Sequence, residues 1–198
     1  QFGYSMKPTT RNNSIEQAMF EVLNHKFTDI SETRYGVALL NDCKYGISVQ
    51  GSDMRLSLHK GGCRPDPRGD EGVHECVYSF MPHVGGFSAE NVVLPAYELN
   101  VRPIVKKGRL EFNSFIKVHD SNVIIETVKC CEENQKAFII RLYEAEGTFT
   151  RTKVTLDRIP ESVEITNMLE EVLEKVDAAQ TFELTFRPFE IKTVKIGY

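Results

Sequence analysis

The chain has 198 residues, 41% hydrophobic and 26% charged, with 24 Lys and Arg against 28 Asp and Glu and a net charge of −4. That size fits one medium globular domain or two small ones. No apolar run approaches the ~20 residues that cross a bilayer, and no basic stripe carries stacking aromatics, which sets aside a membrane span and a nucleic-acid partner.

The opening QFGYSMKPTT lacks the basic start and apolar centre of a signal peptide, and it begins without methionine, as expected of a piece of a longer polypeptide. SIEQAMFEVLNHKF has helical propensity, with Ser14 as a cap and Gln17 three residues on. YGVALLND reads as a strand halted by Asn41 and Asp42, whose short side chains bond nearby backbone in turns. DMRLSLHK and ECVYSFMPH alternate with period two and flank PDPRGDEGVHE, a stretch dense in turn formers, carboxylates and a histidine. SAENVVLPAYELN starts on the cap-like Ser88 and is interrupted by Pro95. Between Gly85 and Gly108 lie a Gly-Gly pair, two prolines and a basic turn at Lys106, Lys107 and Arg109. The chain is therefore divided into 1–87, a connecting segment 88–108, and 109–198.

Short runs rich in Val, Ile, Thr, Tyr and Phe resume beyond it: NVIIETVKCC, AFIIRLYEAEG, TKVTLDRI, ESVEITNML and FELTFRPFEIKTVKIGY. In the last, Phe182, Leu184 and Phe186 share one face, and Pro188, with no N–H to donate, marks an edge, a bulge or a break. NMLEEVLEKVD is the exception, with apolar residues at helical spacing. Turn signals every ten or so residues predict an all-β chain, an antiparallel β-sandwich with at most one or two short helices.

Candidate chemistry is sparse. His74 with Asp66, Asp70, Glu71 and Glu75 is the densest group of potential ligands, but neither a helical H-E-x-x-H nor a calcium-loop pattern is present, and a solvated acidic turn is the simpler reading. Five cysteines, Cys43, Cys63, Cys76, Cys130 and Cys131, match no zinc or redox motif and read as free thiols of a reducing compartment, the cytoplasm. Cys130 and Cys131 should point to opposite faces of a strand. His74 and Cys76 would share a face if strand-borne, yet the segment reads as core packing rather than a catalytic thiol. His25 and His83 are expected to bond backbone groups.

Taken together, YGVALLNDCKYGISVQGSDMRLSLHKGGCRPDPRGDEGVHECVYSFMPH, preceded by FEVLNHKFTDISE and followed by AYELN, VIIETVKCCEE, IIRLYEAEG and FRPFEIKTVKI, resembles the C-terminal region of glycoside hydrolase family 38 α-mannosidases, nearest its bacterial and cytosolic branch. The resemblance implies the end of a large sandwich domain followed by a smaller C-terminal sandwich. It implies that QAMFEVLNHKFTDI is a strand segment, that SAENVVLPAYELN stays a short helix, and that NMLEEVLEKVD is mostly strand and turn. In YGVALLND it implies that Val37, Leu39 and their apolar neighbours pack while Asn41 and Asp42 leave the sheet.

The catalytic nucleophile and the ligands of a divalent metal, zinc in the family, would lie upstream, so the resemblance implies no catalytic or metal-binding residue and no cofactor here. It points to Arg68 as a contact at the rim of the sugar site, through the fork of donors a guanidinium offers, with Asp70 and His74 as further hydrogen-bonding candidates. Implied partners are the N-terminal catalytic domain and helical bundle of the same polypeptide and a mannoside or oligosaccharide substrate. A homo-oligomer through strand edges stays open. The competing expectation is a stand-alone carbohydrate-binding or protein-interaction module, which the lack of any tryptophan disfavours.

Overall fold

A computed structural model describes residues 2–109 and 114–198. The chain forms two compact units, Ser5–Ile104 and Val105–Tyr198, the second including the chain start through Tyr4. Among the described residues the architecture is antiparallel sheet with little helix, as the alternating patterns predict.

The first unit opens with the single-turn helix α1 (Ser14–Ala18). Its cap is Asn13 rather than Ser14: the Asn13 side chain accepts from the amides of Ile15 and Glu16, and Glu16 accepts in return from the Asn12 amide at 2.7 Å. Helix gives way to strand in β1 (Val22–Leu23) and β2 (Phe27–Ser31), so only the later part of the expected strand segment is extended. There follow β3 (Tyr35–Asn41), β4 (Gly46–Gln50), β5 (Asp53–Leu56) and β6 (Tyr78–Val84). They pair as two three-stranded sheets, β1-β4-β5 and β2-β3-β6.

Beyond β6 the stretch 88–100, expected within the connecting segment, coils as a π-helical turn (Ala89–Val93) that runs into α2 (Leu94–Asn100). Ser88 caps it by accepting from the Asn91 amide at 3.0 Å. Pro95 does not interrupt the coil. It stands in the first turn of α2, where a missing N–H costs no intrahelical bond.

The small residues Val92 and Ala96 let this coil lie close on Ala38 and Leu40 of β3, with Phe27, Met81 and Phe87 packed around them. Ala38 and Leu40 form the fully buried face of β3, whereas Val37 and Leu39 lie on the opposite face and are only half-buried. Asn41, expected to leave, stays in the sheet, paired with Tyr78 and only 2% exposed. Its side-chain NH2 donates to Asn24 Oδ1 at 2.7 Å, and the Asn100 side chain donates to its backbone carbonyl at 3.1 Å. Only Asp42 leaves.

The second unit is a sandwich of β7 (Ile116–Val118), β8 (Val123–Cys130), β9 (Ala137–Glu144), β10 (Thr150–Leu156), β11 (Ser162–Thr166), β12 (Val172–Val176), β13 (Thr181–Phe186) and β14 (Ile191–Gly197). A five-stranded sheet, β12-β11-β14-β9-β8, faces a three-stranded one, β13-β10-β7. Phe182, Leu184 and Phe186 do share a face, and they close on Ile140, Leu142 and Val194 across the core. Each such side chain contributes about 1.5–3 kcal/mol when removed from water. Pro188 sits in the turn between β13 and β14, and the helically spaced segment is the exposed strand β12. Cys130 is exposed and Cys131 buried, as alternation requires.

Candidate functional site

The quoted acidic stretch lies in residues 57–77, a strandless excursion between β5 and β6. Asp66 builds its tip: the Asp66 carboxylate accepts the Arg68 amide at 3.0 Å, and its carbonyl accepts the Gly69 amide at 3.1 Å. Asp forms such turns because its side chain stands in for a backbone acceptor. Gly69 adopts φ +49, in the left-handed region, which lets the chain reverse. The Glu71 amide then donates to the Arg68 carbonyl at 3.1 Å.

His74 Nε2 donates to the Asp70 carbonyl at 2.7 Å, since a carbonyl oxygen can only accept. The His59 ring stands 4.7 Å from that of His74, tilted by 49°. Arg68, Asp70 and His74 thus share one loop, all three exposed, with Asp70 and His74 joined through a carbonyl rather than a carboxylate. His74 and Cys76 are not strand-borne, and the packing face expected of them is absent.

Both stems of the loop are tied to the sheets. On the β5 side the Ser57 amide donates to the Gly46 carbonyl at 2.9 Å, and its hydroxyl bonds Glu21. On the β6 side Asp42 and Val77 exchange two bonds: the Asp42 amide donates to the Val77 carbonyl at 3.1 Å, and the Val77 amide donates to Asp42 Oδ1 at 3.0 Å. The Cys43 thiol and the Val77 amide hold the Asp42 carboxyl below its ordinary range. The same Asp42 bond pushes the Cys43 thiol up.

Among the described residues no three His, Cys, Asp or Glu side chains converge as metal ligands. The polar groups that sequence reasoning passed over are structural. His83 Nε2 meets the Asp29 carboxylate at 2.9 Å with both side chains nearly buried, so its partner is a side chain and not the expected backbone group. His25 stacks on Tyr45 at 5.4 Å. A polar residue at an inward position of an alternating run, as Asp29 is in FTDIS, was the available signal for the first of these.

Residues 1–68 match the model of the glycosyl hydrolases family 38 C-terminal domain, and residues 122–194 match that of the family 38 C-terminal beta sandwich domain. Human alpha-mannosidase 2C1 is 38% identical over 96% of this chain and 19% of its own length. Alpha-mannosidase G of Dictyostelium discoideum is 35% identical over 98% of this chain and 19% of its own. The Saccharomyces cerevisiae alpha-mannosidase is 33% identical over 100% of this chain and 21% of its own. The crystal structure of an alpha-mannosidase from Enterococcus faecalis V583 superposes with a TM-score of 0.71 at 15% identity, over 98% of this chain and 23% of that one, which is a likeness of fold. The chain spans about a fifth of the length of the curated relatives it matches.

Proposed function

The chain belongs to the C-terminal region of glycosyl hydrolase family 38, and from that premise we propose that it is the non-catalytic β region of an α-mannosidase, docking against the catalytic part and presenting its 57–77 loop at the sugar site. The parent reaction is hydrolysis of terminal α-linked mannose with retention, by paired carboxylates that act through a glycosyl-enzyme intermediate. A divalent metal, zinc in this reading, supplies Lewis acidity to the sugar hydroxyls. Among the described residues no ligand set for such a metal converges; in this reading its ligands and the nucleophile belong to the catalytic part, and this chain alone is inactive. Five unpaired thiols support a cytoplasmic setting.

One observation carries the docking role. The face of β2-β3-β6 turned away from α2 is apolar and only partly covered among the described residues: Tyr35 is 55% exposed, Phe80 66% and Val84 87%, beside Ile30, Val37, Leu39 and Pro82. A contiguous apolar sheet face of this kind marks an interface. Tyr78, 57% exposed, stands beside Phe80 on the same face, so the face is rich in aromatics; the lack of tryptophan is what favours protein docking over a sugar-stacking platform.

Arg68 is the residue assigned to the sugar rim, with Asp70 and His74 beside it. The test is hydrolysis of an aryl α-mannoside by the longer polypeptide, native against Arg68→Ala. Loss of one charged hydrogen bond predicts a fall in kcat/KM of about 10- to 100-fold in a folded variant. Unchanged kinetics would reduce the loop to a solvated turn, and a native polypeptide inert on α-mannosides with divalent metal supplied would overturn the activity itself.

A further inference from the structure

Cys43 follows β3 and Cys76 precedes β6, 33 residues apart in sequence on segments that the pairing of those strands brings together. The antiparallel register of β3 and β6 pairs Asn41 with Tyr78. The Asp42 amide still bonds the Val77 carbonyl, but the Val77 amide turns to Asp42 Oδ1, so the regular ladder ends here and Cys43 and Cys76 lie one residue beyond it on the two chain segments. A disulfide needs Cα atoms about 4.4–6.8 Å apart, and the two Asp42–Val77 bonds hold the segments together one residue away. A second contact agrees: Cys43 Sγ reaches the Glu75 carbonyl at 3.8 Å, the carbonyl of the peptide bond that leads into Cys76. Cys43 is exposed, Cys76 is half-buried, and both are free thiols.

We propose that Cys43 and Cys76 form a reversible cross-strand disulfide that latches the returning stem of the 57–77 loop to the end of β3. The oxidant is a low-molecular-weight disulfide, taken by thiol–disulfide exchange. The Cys76 thiolate attacks one sulfur of that disulfide and displaces one small thiolate, leaving a mixed disulfide on Cys76. The Cys43 thiol then loses its proton to solvent, and its sulfur attacks the Cys76 sulfur and expels the second small thiolate. Two protein thiols become one disulfide, and one small disulfide becomes two small thiols, so atoms and electrons balance. The assignment of first attack to Cys76 follows from the Asp42 carboxylate, which bonds Cys43 and disfavours its ionisation. The latch closes two residues beyond His74, so oxidation restrains the part of the loop that carries Arg68, Asp70 and His74. It does not depend on the loop's having a role at a sugar site.

The experiment treats the reduced full chain with glutathione disulfide and maps its peptides without reduction. The expected product is one linked pair joining the Cys43 and Cys76 peptides, reversed by dithiothreitol, absent from Cys76→Ser and retained in Cys63→Ser. Tryptic cleavage after Arg68 should slow several-fold in the oxidised chain and recover on reduction. Far-ultraviolet circular dichroism of each reduced variant establishes that it is folded; because Cys43 is exposed, Cys43→Ser provides a second linkage-null variant should Cys76→Ser misfold. Stable glutathione adducts on Cys43 or Cys76 without linkage, pairing through Cys63, Cys130 or Cys131, or no reaction would each overturn the proposal.

Discussion

Glu144 has no access to solvent, yet it keeps its charge because donors surround it. The amides of Glu146, Gly147, Thr148 and Phe189 approach its carboxylate at 2.7–3.1 Å, joined by the Asn122 side chain at 3.1 Å. Burial pushes its pKa up, but the amides of Phe189, Glu146 and Thr148 outweigh that and hold it below the ordinary value. One side chain thus anchors both the turn after β9 and the turn between β13 and β14. Glu144→Gln keeps the shape but aims an NH2 at amide donors, and urea denaturation should show a loss of about 2–3 kcal/mol. Glu170 is held down more strongly. Lys129 at 2.7 Å, the Cys131 thiol and the Glu132 amide lower it from 4.5 to about 2. A depressed carboxylate stabilises the fold above its unfolded value near 4.5, and that stability is lost as pH falls through about 2. Acid unfolding of this unit should steepen across that interval and flatten in Glu170→Gln; an identical acid profile for both proteins would remove Glu170 from the response.

At the scale of elements, β3 is decided by what lies across it. Asp29 of β2 and His83 of β6 meet over Gly36, and a Cβ added there would press on His83 Cε1 and on Ser31 Cβ. The glycine is what lets a buried hydrogen bond bridge two strands that do not pair with each other. Gly36→Ala should therefore displace His83 and cost about 1–3 kcal/mol through overpacking. His83→Ala, which leaves the buried Asp29 side chain without that partner, should cost more, about 3 kcal/mol. Denaturation midpoints of the two variants test the order, and a neutral Gly36→Ala would show that the pair has room to move. On the same strand Ala38 and Leu40 are small enough, and regularly enough spaced, to receive the α2 coil, and this leaves the bulkier Val37 and Leu39 face only half-buried.

At the scale of the whole molecule, that partly covered face is the feature that separates this chain from a self-sufficient sandwich. The second unit buries apolar side chains from both of its sheets in one core, whereas the second face of β2-β3-β6 is half-buried at Val37 and Leu39 and exposed at Tyr35, Phe80 and Val84. Phe80→Asp probes the difference. In the chain as it stands the side chain is 66% exposed, so stability should change by no more than about 0.5 kcal/mol. In the longer polypeptide the same charge would be buried at the docking surface, and the melting temperature and mannosidase activity should both fall. A variant as stable and active as the native longer protein would leave the face without a docking role.

The alternating runs by themselves determined that the chain is antiparallel β, that Phe182, Leu184 and Phe186 point together, and that Cys130 and Cys131 point apart, because a strand's side chains have a period of two wherever the strand is placed. The ordered motifs determined the family. Asp66 was legible as a turn former, but the exposure of Arg68, Asp70 and His74 was not, since burial depends on neighbours far away in the chain. Only the tertiary structure decided which face of β3 is fully covered, why Asn41 stays in the sheet, what His83 bonds, and that the Cys43 thiol meets the Glu75 carbonyl. Periodicity gives a strand two faces and leaves both the partner and the register open. Those are fixed by contacts between distant segments, the small α2 coil on Ala38 and the return of β6 along β3, which no local pattern encodes.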